Sequence, residues 1–206
     1  MKRAVIVAAA KIKNYSKIRK FLSKDDFYIF CDAGLKHCKK LKVKPDLIVG
    51  DFDSIKKPST SIETIVLPVE KDDTDTFFAV KEALKRGFTN FLLLGCIGER
   101  FDHSLCNISV LLHLYSKGAE CVLIDDYSAM KIAGEKPIFV NDDCSYFSLM
   151  NVDGNASGIT IKNAKYELDN GEIKSDFMYG SGNEVLPGKK AEISVKKGRM
   201  LLVEVF

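Results

Sequence analysis

The sequence predicts an α/β fold: an open, mostly parallel, Rossmann-like sheet with helices, followed by a small C-terminal all-β sandwich. Three observations predict it. Short apolar, β-branched runs recur through the first two thirds of the chain. Helical patterns stand between several of them. After about Asp126 the helical period fades, and short alternating runs separated by turn residues take over.

The apolar runs are AVIVAAA at 4–10, FYIFC at 27–31, DLIVG at 46–50, TIVLPV at 64–69, FLLLG at 91–95 and CVLID at 121–125. Each has the length and unbroken apolar character of a buried parallel strand. Residues 74–86 read as a helix with Phe77, Val80 and Leu84 on one stripe and Gly87 as its stop. Residues 102–117 read as a second helix, with Leu105, Ile108, Leu111, Leu112 and Tyr115 on one face and Gly118 at its end. Further on, PIFV, YFSLM, GITI, YEL, AEISV and MLLVEVF read as strands, with NDD, DNGE and KKGR as turns. YSAMKIAGEK at 127–136 has no linker composition and is taken as the boundary region. The expected division is an α/β domain over 1–132 and a β-sandwich over 133–206.

The 206 residues allow one large domain or two small ones, and 46% hydrophobic with 29% charged residues is ordinary for a globular chain. Disordered and fibrous architectures are poor readings. No apolar run approaches the roughly 20 residues that span a bilayer, and the apolar start at 4–10 is too short for a signal peptide. A cytoplasmic protein with no membrane partner is expected. The net charge of +3 does not imply nucleic acid. It divides unevenly: residues 1–45 hold 13 Lys or Arg against Asp25, Asp26 and Asp32, a net +10, leaving −7 on the rest. Such a basic surface either meets phosphates or is a solvated face. The six cysteines form no C-x-x-C pair and read as buried free thiols. Cys31, His37 and Cys38 lack zinc spacing, and His37 and His113 read as surface or core residues without chemistry.

Three of the strand-like runs end in polar loops rich in carboxylates. The first holds Asp51, Asp53 and Ser54, the second Lys71, Asp72, Asp73, Thr74 and Asp75, the third Gly98, Arg100, Asp102 and His103. Carboxyl ends of parallel strands share one edge, where ligands bind at the point of reversed strand order. Gathered carboxylates repel unless a hard cation such as Mg²⁺ compensates, and Mg²⁺ characteristically bridges to substrate phosphates. Arg100 and Lys71 suit phosphate oxygens. Each loop also has a plainer reading: Asp72 or Asp73 as a helix cap, Asp53 and Ser54 as a turn. There is no G-x-x-x-x-G-K-[ST], G-x-G-x-x-G or G-x-S-x-G pattern, which leaves P-loop, dinucleotide and serine-hydrolase sites without support.

PDLIVGDFDS, EKDDTDTFFAV and LLLGCIGERFDHSLCN, in that order, resemble the motif set of the thiamine pyrophosphokinase family, bacterial type. Lys71, Asp72, Thr74 and Asp75 match its K-D-x-T-D. Gly98, Arg100, Asp102, His103 and Asn107 match its G-x-R-x-D-H-x-x-x-N, and the YGSGNE stretch is similar to its C-terminal G-x-S-N-E turn. The resemblance runs from about Asp32 to the end. Two positions depart from it: Ala33 stands where the family has the first glycine of D-G-G, and Gly182 where serine is usual, with Ser181 beside it.

The resemblance implies transfer of the pyrophosphoryl group of ATP to the thiamine hydroxyl with Mg²⁺, giving thiamine diphosphate and AMP. It implies a homodimer whose site is shared between subunits. Mg²⁺ is assigned to Asp51, Asp53, Asp73 and Asp75. Asp32, Ser54, Lys71, Thr74, Arg100, Asp102, His103 and Asn107 are placed with nucleotide or substrate. Asp51, Asp53, Asp72, Asp75 and Arg100 form the catalytic group, with Asp72 as the acceptor of the alcohol proton. Tyr179, Ser181, Asn183 and Glu184 are assigned to thiamine. The chain has no Trp, so Tyr179 either stacks on the cation or packs in the sandwich core. Carboxylates and a cation alone also fit a Mg-dependent nucleotide hydrolase or a transferase on another acceptor. A non-catalytic nucleotide-binding regulatory module is a further alternative.

Overall fold

The computed structural model describes residues 2–53, 55–70 and 72–206. It divides into two compact units, Met1–Asp126 and Tyr127–Phe206. The first holds six parallel strands: β1 (Ala4–Val7), β2 (Phe27–Cys31), β3 (Leu47–Gly50), β4 (Glu63–Val66), β5 (Asn90–Leu94) and β6 (Glu120–Ile124). Their spatial order is β4-β3-β2-β1-β5-β6. β1 is central, with Val5 opposite Tyr28 on one side and Leu92 on the other. Every residue of β1 and β3 is buried, as unbroken apolar runs in a doubly covered parallel sheet require. The α/β class expected from the sequence is the class observed.

Four helices accompany these strands: α1 (Tyr15–Ile18), α2 (Cys38–Leu41), α3 (Asp75–Lys85) and α4 (Phe101–Ser116). The short α1 and α2, and the 3₁₀ turns at Arg19–Phe21 and Asp32–His37, carry no strong period and were not legible beforehand. Thr74 caps α3, its hydroxyl accepting from Phe77 N at 3.2 Å. Neither Asp72 nor Asp73 is the cap, because the helix starts one residue later than the pattern suggested.

Both long helices are rotated from the faces read off their apolar residues. α3 packs on β1, β2 and β3 and buries Thr76, Ala79, Val80 and Ala83. Alanines allow close approach to the sheet, and Phe77 instead meets the His113 ring edge-on at 4.9 Å. α4 buries Ser104, Asn107, Val110, Leu111 and Leu114, leaving Phe101 71% and Leu105 53% exposed. Its inward polar pair is committed to the neighbouring loop.

The second unit is all β. One sheet pairs β7 (Ser128–Ala133) and β9 (Tyr146–Asn151) with β13 (Met200–Val205), all antiparallel. The other has the order β11-β10-β12-β8, from β8 (Ile138–Asn141), β10 (Ala156–Lys162), β11 (Leu168–Ile173) and β12 (Lys190–Lys197). Inward residues of both sheets, among them Phe147, Leu149, Ile159, Ile193, Val195 and Leu202, form one core, as in a sandwich.

The boundary drawn at 132/133 falls inside β7, which was read as connecting chain although five of its six residues are buried. DNGE, read as a turn, lies in β11: Asn170 takes φ +50°, and the β10–β11 register shifts twice. Its polarity suits an edge strand. No helix among the described residues is long and apolar enough to cross a membrane.

Candidate active site

β1 lies between β2 and β5, and the chain reverses direction of progression there. The carboxyl ends of these strands form the switch-point edge at which ligands of open α/β sheets bind. Three glycines allow close packing at this edge. A Cβ on Gly34 would stand 2.3 Å from the Val7 carbonyl oxygen, and one on Gly95 2.5 Å from that of Ala8. One on Gly98 would stand 2.8 Å from the Ala10 Cβ. In the D-A-G departure the glycine that sterics demand, Gly34, is therefore present.

Carboxylate-bearing loops follow the strands at this edge. Asp32 follows β2 at φ +41°, and a Cβ on Gly50, the last residue of β3, would lie 3.1 Å from its Cα. Asp51 Oδ1 accepts from Asp53 N at 3.2 Å across Phe52, which takes φ +56°. Left-handed backbone at non-glycine residues is costly and concentrates at functional sites. Asp75 opens α3, where the helix dipole favours an anion. The Cys31 thiol donates to the Asp75 backbone carbonyl at 3.7 Å, which sets the start of α3 against the end of β2. Burial pushes its pKa well up, and Cys96, Asp75 and Asp32 push it further in the same direction. Oδ1 of Asp32 and Oδ1 of Asp75 are both buried.

The third loop is built from α4. Asn107, 5% exposed, donates from Nδ2 to the Cys96 carbonyl at 2.8 Å. Ser104 Oγ accepts from Gly98 N at 3.1 Å. These two residues, one helical turn apart, clamp the loop that presents Arg100. Ser104 was missed by motif reading; its signal was a polar residue three before Asn107 on a helix whose other face is apolar. Arg100 and Asp102 are themselves exposed and form a two-pronged ion pair, 3.0 and 2.6 Å. Arg100 holds the Asp102 carboxyl well below the usual carboxylate range. His103 is exposed.

Asp32 thus follows β2, Asp51 and Asp53 follow β3, and Asp75 opens α3. Asp73 is committed to an ion pair with Lys81, and Asp72 is exposed. Ser54 and Lys71 lie outside the described residues. Among the described residues no three His, Cys, Asp or Glu side chains stand together at metal-holding distance. The donors available are carboxylate oxygens, the chemistry a hard cation requires. Mg²⁺ needs only one or two of them, with water and phosphate oxygens completing its shell, so the donor set fits.

In the second unit, Asn183 is a staple. Its side chain donates to the Tyr166 carbonyl at 2.8 Å and accepts from Tyr166 N and Glu184 N, while its backbone exchanges two 2.8 Å bonds with Phe147. Glu184 pairs with Lys165 at 2.7 Å. Gly182 takes φ +72° and donates to Ser148 Oγ at 3.0 Å, which accounts for glycine there in place of serine. Ser181 is exposed. Tyr179 is not in the sandwich core: it is 47% exposed, its hydroxyl donates to the Glu172 carbonyl, and its ring tilts against Phe177, itself 66% exposed.

A cavity of about 500 Å³ opens at the opposite, amino-end edge of the first sheet, lined by Lys2, Arg19, Tyr28, Lys42 and Asp46 among others. It contains none of the motif residues.

Two family models match in order along the chain: "Thiamin pyrophosphokinase, catalytic domain" over 18–123 and "Thiamin pyrophosphokinase, vitamin B1 binding domain" over 137–200. Thiamine pyrophosphokinase from Bacillus subtilis is 26% identical, covering 98% of both chains. Thiamin pyrophosphokinase 1 from Caenorhabditis elegans is 26% identical over 68% of this chain and 63% of its own. The crystal structure of the Bacillus subtilis protein superposes with TM-score 0.88 at 22% identity over 99% of both chains. That of yeast thiamin pyrophosphokinase superposes with TM-score 0.80 at 15% identity, over 100% of this chain and 86% of its own.

Proposed function

The chain belongs to the thiamin pyrophosphokinase family, and from that premise we propose that it transfers the pyrophosphoryl group of ATP to the hydroxyl of thiamine. The observation that supports the proposal is the switch-point edge itself, where Asp32 follows β2, Asp51 and Asp53 follow β3, and the loop leading to Arg100 follows β5.

In this reading the thiamine oxygen attacks the β-phosphorus in line, the bond to the α-phosphate bridging oxygen breaks, and AMP leaves. Positioning and charge neutralisation dominate such a transfer. Mg²⁺ at Asp51, Asp53 and Asp75, with Asp73 if it exchanges its Lys81 partner, would neutralise phosphate charge and align the chain of phosphates. Arg100 exchanges Asp102 for phosphate oxygens; both side chains are exposed, so the exchange is sterically open. Lys71 and Ser54 join Arg100 on the phosphates, and His103 and Asp102 contact the nucleotide. Asp72 accepts the alcohol proton. Asn107 and Thr74 act by holding the loop and the helix start that present these groups.

On the second unit Tyr179 offers an aromatic face to the cationic thiazolium, Glu184 a carboxylate on exchanging its Lys165 partner, and Ser181 and Asn183 belong to the same group. Exposure of the Tyr179 ring favours this role over core packing. A homodimer with the site shared between subunits belongs to the same proposal, supported by the uncovered Phe101 and Leu105 on α4. So does a cytoplasmic location, which six free thiols favour.

Incubation with ATP, Mg²⁺ and thiamine, with products separated chromatographically, tests the assignment. AMP and thiamine diphosphate are expected in equal amounts. ADP or phosphate without thiamine diphosphate would replace it with a nucleotide hydrolase.

A further inference from the structure

The segment joining β1 to α1 runs along the same edge and is held at several points. Ala8 N donates to the Leu94 carbonyl and Ala10 N to that of Gly95, each at 2.8 Å. Asp126 accepts from Lys13 N at 2.8 Å and Asn14 N at 2.7 Å. Between these clamps, the Ala10 carbonyl faces His37 Nε2 at 3.0 Å. His37 is 1% exposed, and its Nδ1 lies 2.7 Å from the Tyr15 hydroxyl.

The network assigns the ring's proton. A carbonyl accepts only, so Nε2 carries the hydrogen; Nδ1 is then the acceptor, and the Tyr15 hydroxyl donates to it. Burial, with Lys36 and Lys40 nearby, lowers the imidazole pKa against the opposing pull of the Ala10 carbonyl, and so favours this neutral form. The carbonyl so held belongs to the residue against which Gly98 packs, and Gly95 packs against Ala8 just before it. A shift of Ala10 is therefore felt by the loop that leads into Arg100.

We infer that His37 is a positioning residue for polyphosphate: with Tyr15 it fixes the Ala10 carbonyl, and through Ala10 the 95–98 loop that presents Arg100. The inference rests on the phosphate-binding reading of this edge. Its consequence is specific. Losing the relay loosens the phosphate side without touching the reacting atoms or the thiamine side.

Three variants test it. His37→Phe keeps the planar bulk and removes both nitrogens. His37→Gln keeps an N–H donor near the position of Nε2. Tyr15→Phe removes only the hydroxyl and guards against a His37→Phe that fails to fold. In His37→Phe the KM for ATP should rise about tenfold with kcat and the thiamine KM within about twofold, and His37→Gln should recover to within about threefold of wild type. Tyr15→Phe should fall between them. A folded His37→Phe or Tyr15→Phe with wild-type ATP KM overturns the inference, as does a His37→Gln no better than His37→Phe.

Nitrogen-15 NMR of the wild type supplies a readout independent of turnover. It should show His37 as the neutral Nε2–H tautomer, and an Nδ1–H tautomer overturns the relay. Wild-type protein that makes no thiamine diphosphate sinks the activity reading instead. Calorimetric titration of the variants with Mg-ATP then decides the inference, equal affinities in wild type and His37→Phe counting against it.

Discussion

Gly34 has no room for a methyl group. The Cβ of an alanine would stand 2.3 Å from a backbone oxygen of the central strand, which cannot swing aside as a flexible side chain would. Gly34→Ala should therefore lose about 1–3 kcal/mol of stability, read by chemical denaturation. Asn107→Ala should cost a similar amount, roughly 1–3 kcal/mol, because it strands the buried Cys96 carbonyl. Asp53 is exposed. Asp53→Asn should accordingly abolish turnover while circular dichroism and melting temperature stay unchanged; normal turnover would remove Asp53 from the metal site. His37 adds a pH signature. Its pKa in the folded protein lies below its ordinary value near 6.5. The stability it contributes is present above that ordinary value and is lost as the pH falls through the lowered one. His37→Phe should flatten this acid limb of the stability profile.

At the scale of elements, the start of α3 joins two jobs. Thr74 satisfies an orphan N–H of the helix, and Asp75 in the first turn lies where the dipole favours an anion. Thr74→Ala should lose about 1 kcal/mol and Thr74→Ser much less, measured as a shift in denaturation midpoint. The strands were legible because residues buried on both faces must all be apolar. The rotation of α3 and α4 was not. Apolar periodicity marks a face, but alanines in α3 and the Ser104–Asn107 pair in α4 turn inward for close approach and for loop carbonyls that only the fold brings near. The strand at 128–133 was hidden for a related reason. Its mixed SAMKIA composition lacks alternation, and its partner, β13, lies about 70 residues away.

At the scale of the whole molecule, Phe101, Leu105 and the half-buried Ile108 and Leu112 leave an apolar stripe on α4 facing out of the first unit. A second copy of the chain is the proposed cover. Sedimentation velocity should show a dimer for the wild type and a monomer for the double variant Phe101→Glu, Leu105→Glu, with unchanged circular dichroism. A monomeric wild type would overturn the homodimer. The uneven charge takes on a location too. Part of the basic N-terminal segment, including Lys2, Arg19 and Lys42, lines the amino-end edge of the sheet, whereas the acidic loops occupy the carboxyl-end edge. Lys2, Arg19 and Lys42 thus lie away from the candidate site.

The order of motifs and the change of period near residue 126 determined the fold class and the family, because burial on both sheet faces and strand alternation are written locally. They also determined which loops follow strands at one edge, since parallel strands end together. Only the tertiary structure decided which polar groups of the motifs hold the scaffold. Asn107, Thr74 and Asn183 read as contacts and turn out to satisfy backbone groups, while His37, read as inert, holds the loop beside the site. Hydrogen-bond partners far apart in sequence decide that, and residue type and spacing do not encode them.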